Sequence, residues 1–158
     1  TTSLPVIEYA KEIGASHETL LRALVLSNLV TIHQKQYIGR LSAFCGAVSA
    51  GAGAGAGAGI AYLNGGDYDA VIHTVINAVA IVSGMVCDGA KASCAAKIAE
   101  AVDAGIIGYN MHIRGQNFED GDGIVKSCVE ETILSVGRLA KEGMKETNTE
   151  ILNIMISE

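Results

Sequence analysis

The residues best suited to chemistry in this chain are its cysteines. Cys45 and Cys87 stand on opposite sides of a glycine and alanine ladder, and Cys87 opens the run Cys87-Asp88-Gly89-Ala90-Lys91-Ala92-Ser93-Cys94. Cysteine thiolates are soft ligands that suit iron–sulfur clusters, zinc or copper(I). Spacing limits what they imply. Cys87 and Cys94 lie seven residues apart and Cys45 lies 42 residues before Cys87, so a site made from them is tertiary. It matches neither the C-x-x-C pair of zinc ribbons nor the cysteine run of ferredoxins. Taken singly, a buried cysteine is usually a small hydrophobe, and Cys128, inside an apolar stripe, is read that way.

The turn after Cys87 adds Asp88, Lys91 and Ser93. A lysine beside a cysteine depresses the thiol pKa, and free backbone amides at a helix start hold a carboxylate. Such a turn can take both a metal and an anionic substrate; the plainer reading is capping residues and a solvated lysine. His33 and His73 fall in apolar helical segments and are read as satisfied core histidines, with His17 and His112 peripheral. There is no G-x-S-x-G, Walker loop or H-E-x-x-H. The alternating glycines are no dinucleotide fingerprint, because no strand precedes them.

Composition bounds the scaffold. With 158 residues, 49% of them apolar, one domain can remove about 70% of its unfolded-state surface from water. Two Phe, five Tyr and no Trp leave Ala, Val, Ile, Leu and close backbone contact to fill the interior, which favours tightly packed small helices. The net charge of −6 and scattered Lys and Arg give no basic field, so nucleic acid is not an expected partner. Four thiols in an acidic chain without a basic, apolar leader point to reduced cysteines and a cytoplasmic protein. Residues 43–63 carry no charge and are long enough to cross a bilayer. Being mostly Gly and Ala, without flanking Lys/Arg clusters or an aromatic belt, they read as a buried helix, and no membrane is expected.

The elements follow from caps and periodicity. Ser3, with Pro5 in the first turn, caps a short helix that Gly14 ends. Ser16 caps a helix over residues 17–36, whose Leu20, Leu21, Leu24, Val25, Asn28, Leu29 and Ile32 keep helical spacing. The ladder from Gly51 to Gly59 has a period of two, which resembles a silk-like strand. On a helix, Gly51, Gly55 and Gly59 form one row and Gly53 and Gly57 the next, so neighbours can touch the backbone. Five glycines forfeit about 5 kcal/mol of helix propensity, an amount that tight packing must offset; this helix is therefore central. Asp67 caps a helix over residues 68–85, apolar on every face and read as buried. Residues 87–93 read as a turn, and Ser93 caps a helix to about Met111. A Gly/Asp loop over residues 115–123 leads to a helix over 124–142 with a stripe of Ile124, Val125, Cys128, Ile133, Val136 and Leu139. Residues 147–156 form a terminal helix. The expected fold is all-α: one compact multi-helix domain over residues 1–158 around a buried Gly/Ala-rich central helix.

Four stretches together carry a resemblance: Ser42-Ala43-Phe44-Cys45-Gly46-Ala47-Val48, the ladder's end Gly59-Ile60-Ala61-Tyr62-Leu63, the run from Ser83-Gly84-Met85-Val86-Cys87 through Cys94-Ala95, and Gly143-Met144-Lys145-Glu146-Thr147. They are similar to the iron–sulfur L-serine dehydratase α-chain family, with the L-cysteine desulfidase group and its uncharacterised relatives as the nearest branch. The similarity runs from about Gln36 to Glu150, and the Cys-Asp-Gly-Ala-Lys turn is its most specific piece. Family members are longer, and in the desulfidase branch an N-terminal Gly-Cys-Thr-Glu-Pro motif supplies another cluster ligand. That motif is absent here, so the chain resembles the C-terminal part of a longer protein, or a separate subunit.

The resemblance implies a [4Fe-4S] cluster held by Cys45 and Cys87, with the third ligand either Cys94 or a cysteine on the N-terminal part. It implies Asp88, Gly89 and Lys91 as substrate-binding residues and an open iron acting as Lewis acid on the β-hydroxyl of L-serine or the β-thiol of L-cysteine. Pyruvate and ammonia would result, with sulfide from cysteine. The implied partners are an amino-acid substrate, an N-terminal domain or subunit of the same enzyme, and a second copy in a homo-oligomer. The isolated chain is expected to be inactive. The competing readings are a non-catalytic helical assembly or regulatory module, and a zinc-binding domain using Cys45, Cys87 and Cys94.

Overall fold

The computed structural model describes residues 1–39 and 43–157; Ser42, which begins the first family stretch, lies outside the described residues. Among these residues seven helices follow in order: α1 (Ser3–Glu12), α2 (His17–Ile38), α3, α4 (Tyr68–Val82), α5 (Ser93–Ile113), α6 (Val129–Arg138) and α7 (Lys145–Ile156). Helix α3 begins as a wide π-type helix over Ala47–Gly55 and continues as α-helix over Ala56–Leu63. A second π turn, Leu139–Gly143, extends α6. The fold is all-α; among the described residues the only extended pairing is an isolated antiparallel bridge between Phe44 and Val86.

Helix α3 is the centre. Every residue from Val48 to Ala61 is buried, and its alanines feed three separate parts of the core. Ala50, Ala54 and Ala58 meet Val75, Val79 and Val136; Ala52 meets Val82, Ala101 and Ala104; Ala56 meets Val6 and Ala23. The two glycine rows expected from helical geometry face different neighbours. A Cβ at Gly55 would stand 3.0 Å from the Ser27 carbonyl, and one at Gly59 would stand 3.3 Å from that of Ala23, both on α2. On the other row, a Cβ at Gly57 would stand 3.0 Å from the Cα of Gly105 on α5. Helices α2 and α5 thus press on α3 from two sides at backbone distance, the packing that offsets the poor propensity. Glycine's freedom also lets the wider i→i+5 rings close, as from the Ala56 N–H to the Gly51 carbonyl, a form that periodicity does not announce.

Ser16 and Asp67 cap as expected, accepting from the Thr19 and Ala70 amides at 3.1 and 3.0 Å. Other expectations need correction. Ser3 and Ser93 are first helical residues, with Thr2 and Ala92 at the cap positions and no side-chain cap bond. Helix α4 is not buried all round, since Tyr68 and Ile81 are exposed. Residues 124–128 are not helical, because the Thr132 hydroxyl accepts from the Lys126 amide and donates to the Cys128 carbonyl, so α6 starts only at Val129. Cys128 is consequently exposed rather than a core hydrophobe. Helix α2 turns Ala23, Ser27, Gln34 and Ile38 inward, while Leu21, Val25, Leu29 and Ile32 of the expected stripe face outward. No helix among the described residues is long and apolar enough to cross a membrane.

Candidate metal centre

The bridge between Phe44 and Val86 brings the cysteines together. The Cys45 amide donates to the Met85 carbonyl at 3.1 Å and the Cys87 amide donates to the Ala43 carbonyl at 2.5 Å. In an antiparallel pair, opposite residues share a face and successive residues alternate. Cys45 and Cys87 flank the Phe44/Val86 pair on opposite sides, so they are diagonal neighbours on one face, a relation that spans about 7–8 Å. Consistently, both contact a single apolar cluster that includes Val48, Val82 and Ala101. The two sulfurs do not lie in separate compartments.

Cys94 joins from the first turn of α5, its Sγ donating to the Gly89 carbonyl at 3.2 Å. Burial pushes the Cys45 thiol above its ordinary range; the Val48 amide at the start of α3 opposes this, while the neighbouring Cys87 and Cys94 push it further up. Cys94 belongs to the same turn as Cys87 through the Gly89 carbonyl. All four cysteines are free of disulfide bonds. Among the described residues no three His, Cys, Asp or Glu side chains converge closely enough to hold a metal ion. A polynuclear cluster distributes its cysteines over different irons, and the soft sulfur donor set suits it in kind.

The turn itself is braced by charge. Asp88 contacts Lys91 at 2.5 Å through one oxygen and Lys97 at 2.8 Å through the other, and the Lys97 ammonium also donates to the Val86 carbonyl at 2.9 Å. Lys91, then Lys97, hold the Asp88 carboxyl far below the usual carboxylate range, and Asp88 in return raises Lys97. Sequence reading missed Lys97. The available signal was its position three residues after Cys94, one helical turn further along the same face. Gly89 adopts a φ of +94°, where a side chain is strained, and a Cβ there would meet Met155 of α7 at 3.3 Å.

The histidines sit elsewhere. His33 is half-exposed and pairs with Glu130 at 2.8 Å, so it is not a core histidine. His73 stacks on His112 with ring centroids 5.2 Å apart, which makes His112 part of the α4–α5 contact rather than peripheral. The His73 Nδ1 is buried without a hydrogen-bond partner among the described residues.

Residues 2–153 match the serine dehydratase alpha chain family. The chain belongs to that family. It is 63% identical over its whole length to a UPF0597 protein of Desulfitobacterium hafniense, 57% identical over 99% to one of Lachnoclostridium phytofermentans, and 53% identical over its whole length to one of Finegoldia magna. It covers 36% of the first and 37% of the other two, so it spans about a third of the length of these curated relatives. No solved structure matches it.

Proposed function

We propose that this chain is the cysteine-bearing domain of an iron–sulfur-dependent lyase that removes the β-substituent of L-serine or L-cysteine, giving pyruvate and ammonia, plus sulfide from cysteine. The observation that carries the reading is the diagonal placement of Cys45 and Cys87 on the pairing of residues 43–45 with 85–87, with Cys94 tied to the same turn through the Gly89 carbonyl. Family membership supports the reaction class. Cys45, Cys87 and Cys94 would hold a [4Fe-4S] cluster. When bound, the cluster supplies a Lewis acid for the departing hydroxyl or thiol.

The remaining work falls to the turn. Lys91, half-exposed and paired with Asp88, would be the cation that meets a substrate carboxylate, together with backbone at Gly89. Asp88 has both oxygens engaged by lysines and would repel a carboxylate, so its part is to aim Lys91 and brace the turn. The test is pyruvate release from L-serine and from L-cysteine by the whole protein, purified and reconstituted with iron and sulfide under anaerobic conditions. Turnover of either amino acid supports the reading; a fully loaded protein that turns over neither refutes it.

A further inference from the structure

The outer face of α2 is built like an interior. Leu21, Val25, Leu29 and Ile32 are 49%, 59%, 59% and 56% exposed and follow one another at intervals of four, four and three. They form a single ridge about 16 Å long at 1.5 Å per residue. From Ala23 to Ile32 the helix carries no charged residue, whereas the wet face of a surface helix is normally polar or charged. The inward face is already occupied by α3 through Ala23 and Ser27. A helix that is apolar on both sides belongs between two layers, and among the described residues nothing covers the ridge of Leu21, Val25, Leu29 and Ile32. The ridge continues into a mostly apolar groove of about 330 Å³ bounded by α2, α4 and α6, where Leu29, Val30, Val71, Ile72 and Val129 stand beside the His33–Glu130 pair.

We infer that this face, the α2 ridge with the adjoining α2–α4 groove, is the docking surface for the other part of the enzyme, the domain or subunit equivalent to what the relatives carry outside the matched region. The chain accounts for 36% of the first relative's length, so in that relative a stretch longer than this chain accompanies the matching region at fixed stoichiometry. Helix α5 presses on the opposite side of α3 from α2, so a partner seated on the ridge leaves the cysteine turn accessible. The ridge, a row of residues four apart, suits an apolar helix packed ridge into groove. This inference rests on the reading of the chain as one part of a larger lyase, but its test needs neither iron nor substrate.

The experiment introduces Val25→Cys or Leu29→Cys into the whole protein, with whatever domain or subunit accompanies it, and follows alkylation at each site by peptide mass spectrometry. Rates in the native state are compared with those in urea, over a range of protein concentrations. The expected result is native labelling at least about tenfold slower than unfolded labelling at both sites, independent of concentration. Labelling at the unfolded rate would show an open face and overturn the inference. Protection that grows with protein concentration would assign the face to a second copy and overturn it equally. Because no cofactor is involved, a protein that binds no cluster can still pass, and one that binds a cluster can still fail.

Discussion

Lys97 reaches across from α5 to Asp88, its ammonium 2.8 Å from Oδ1, while also donating to the carbonyl of Val86 at 2.9 Å. Those two bonds tie the turn that carries Cys87 to the helix that carries Cys94. Hydrogen bonds to charged groups are among the stronger single contacts in proteins, and this one lies where two candidate ligands must be kept in register.

Replacing Lys97 with Met should therefore loosen the pairing of residues 43–45 with 85–87. Amide exchange at Cys45 and Cys87 is expected to quicken by about tenfold, with Lys97→Arg recovering most of the protection. Lys91→Met, which removes the more exposed of the two partners of Asp88, should quicken these amides less than Lys97→Met and should raise the KM for the amino acid.

The Asp88 brace has a defined pH sense. Its carboxyl is held far below the ordinary value by Lys91 and Lys97, so its contribution to stability is complete above the unfolded-state pKa of about 4 and is lost progressively as pH falls below it. Urea midpoints of the wild type should fall more steeply between pH 4 and pH 3 than those of Asp88→Asn, and the two slopes should agree between pH 5 and pH 7.

Thiol reactivity should sort by environment. Burial raises the Cys45 pKa, so in the absence of metal its alkylation should become appreciable only at alkaline pH, whereas exposed Cys128 should label first. Once loaded with iron and sulfide, Cys45, Cys87 and Cys94 should all resist labelling and Cys128 should not. Peptide mapping after iodoacetamide treatment reads all four sites at once.

Gly105→Ala would set a Cβ 2.7 Å from the Gly53 carbonyl and 3.0 Å from the Gly57 Cα. Backbone cannot swing aside as a side chain can. Overpacking of this kind costs about 1–3 kcal/mol, enough to outweigh the roughly 1 kcal/mol of helix propensity that alanine gains. Gly84→Ala, with open space around it, is the control expected to stay near wild type in chemical denaturation.

The α4–α5 contact also depends on Asn77, wholly buried, whose amide donates to the Gly108 carbonyl at 3.0 Å and whose oxygen accepts from the Phe118 amide at 3.0 Å. Asn77→Ala would strand both partners at a cost of about 1–3 kcal/mol. Its denaturation midpoint should fall accordingly, and residues 115–123 should become more sensitive to protease.

What the sequence made legible is local or periodic. The two glycine rows predict which faces of α3 meet backbone, and Ser16 and Asp67 announce their helices because one side-chain oxygen satisfies a nearby amide. The sequence pattern failed where a distant contact decides. Leu21, Val25, Leu29 and Ile32 look like a core stripe, yet the inward face of α2 had to be small at Ala23 and Ser27 to fit against glycine. Cys128 has stripe spacing, but Thr132 hydrogen bonds hold its segment out of the helix. The thiol locus was legible only as residue types. Its assembly depends on a two-residue bridge between segments some 40 residues apart, too short to leave an alternating pattern, and on Lys97, whose partner Asp88 lies outside the helix.

The most direct measurement is iron and acid-labile sulfide content, with the visible absorption spectrum, of the whole protein reconstituted anaerobically as wild type and as Cys45→Ala, Cys87→Ala and Cys128→Ala. The account predicts about four irons and four sulfides per chain and a brown charge-transfer band in the wild type and in Cys128→Ala, and loss of both iron and band in the other two. Full iron loading of Cys45→Ala and Cys87→Ala, or a wild type that takes up no iron, would contradict it.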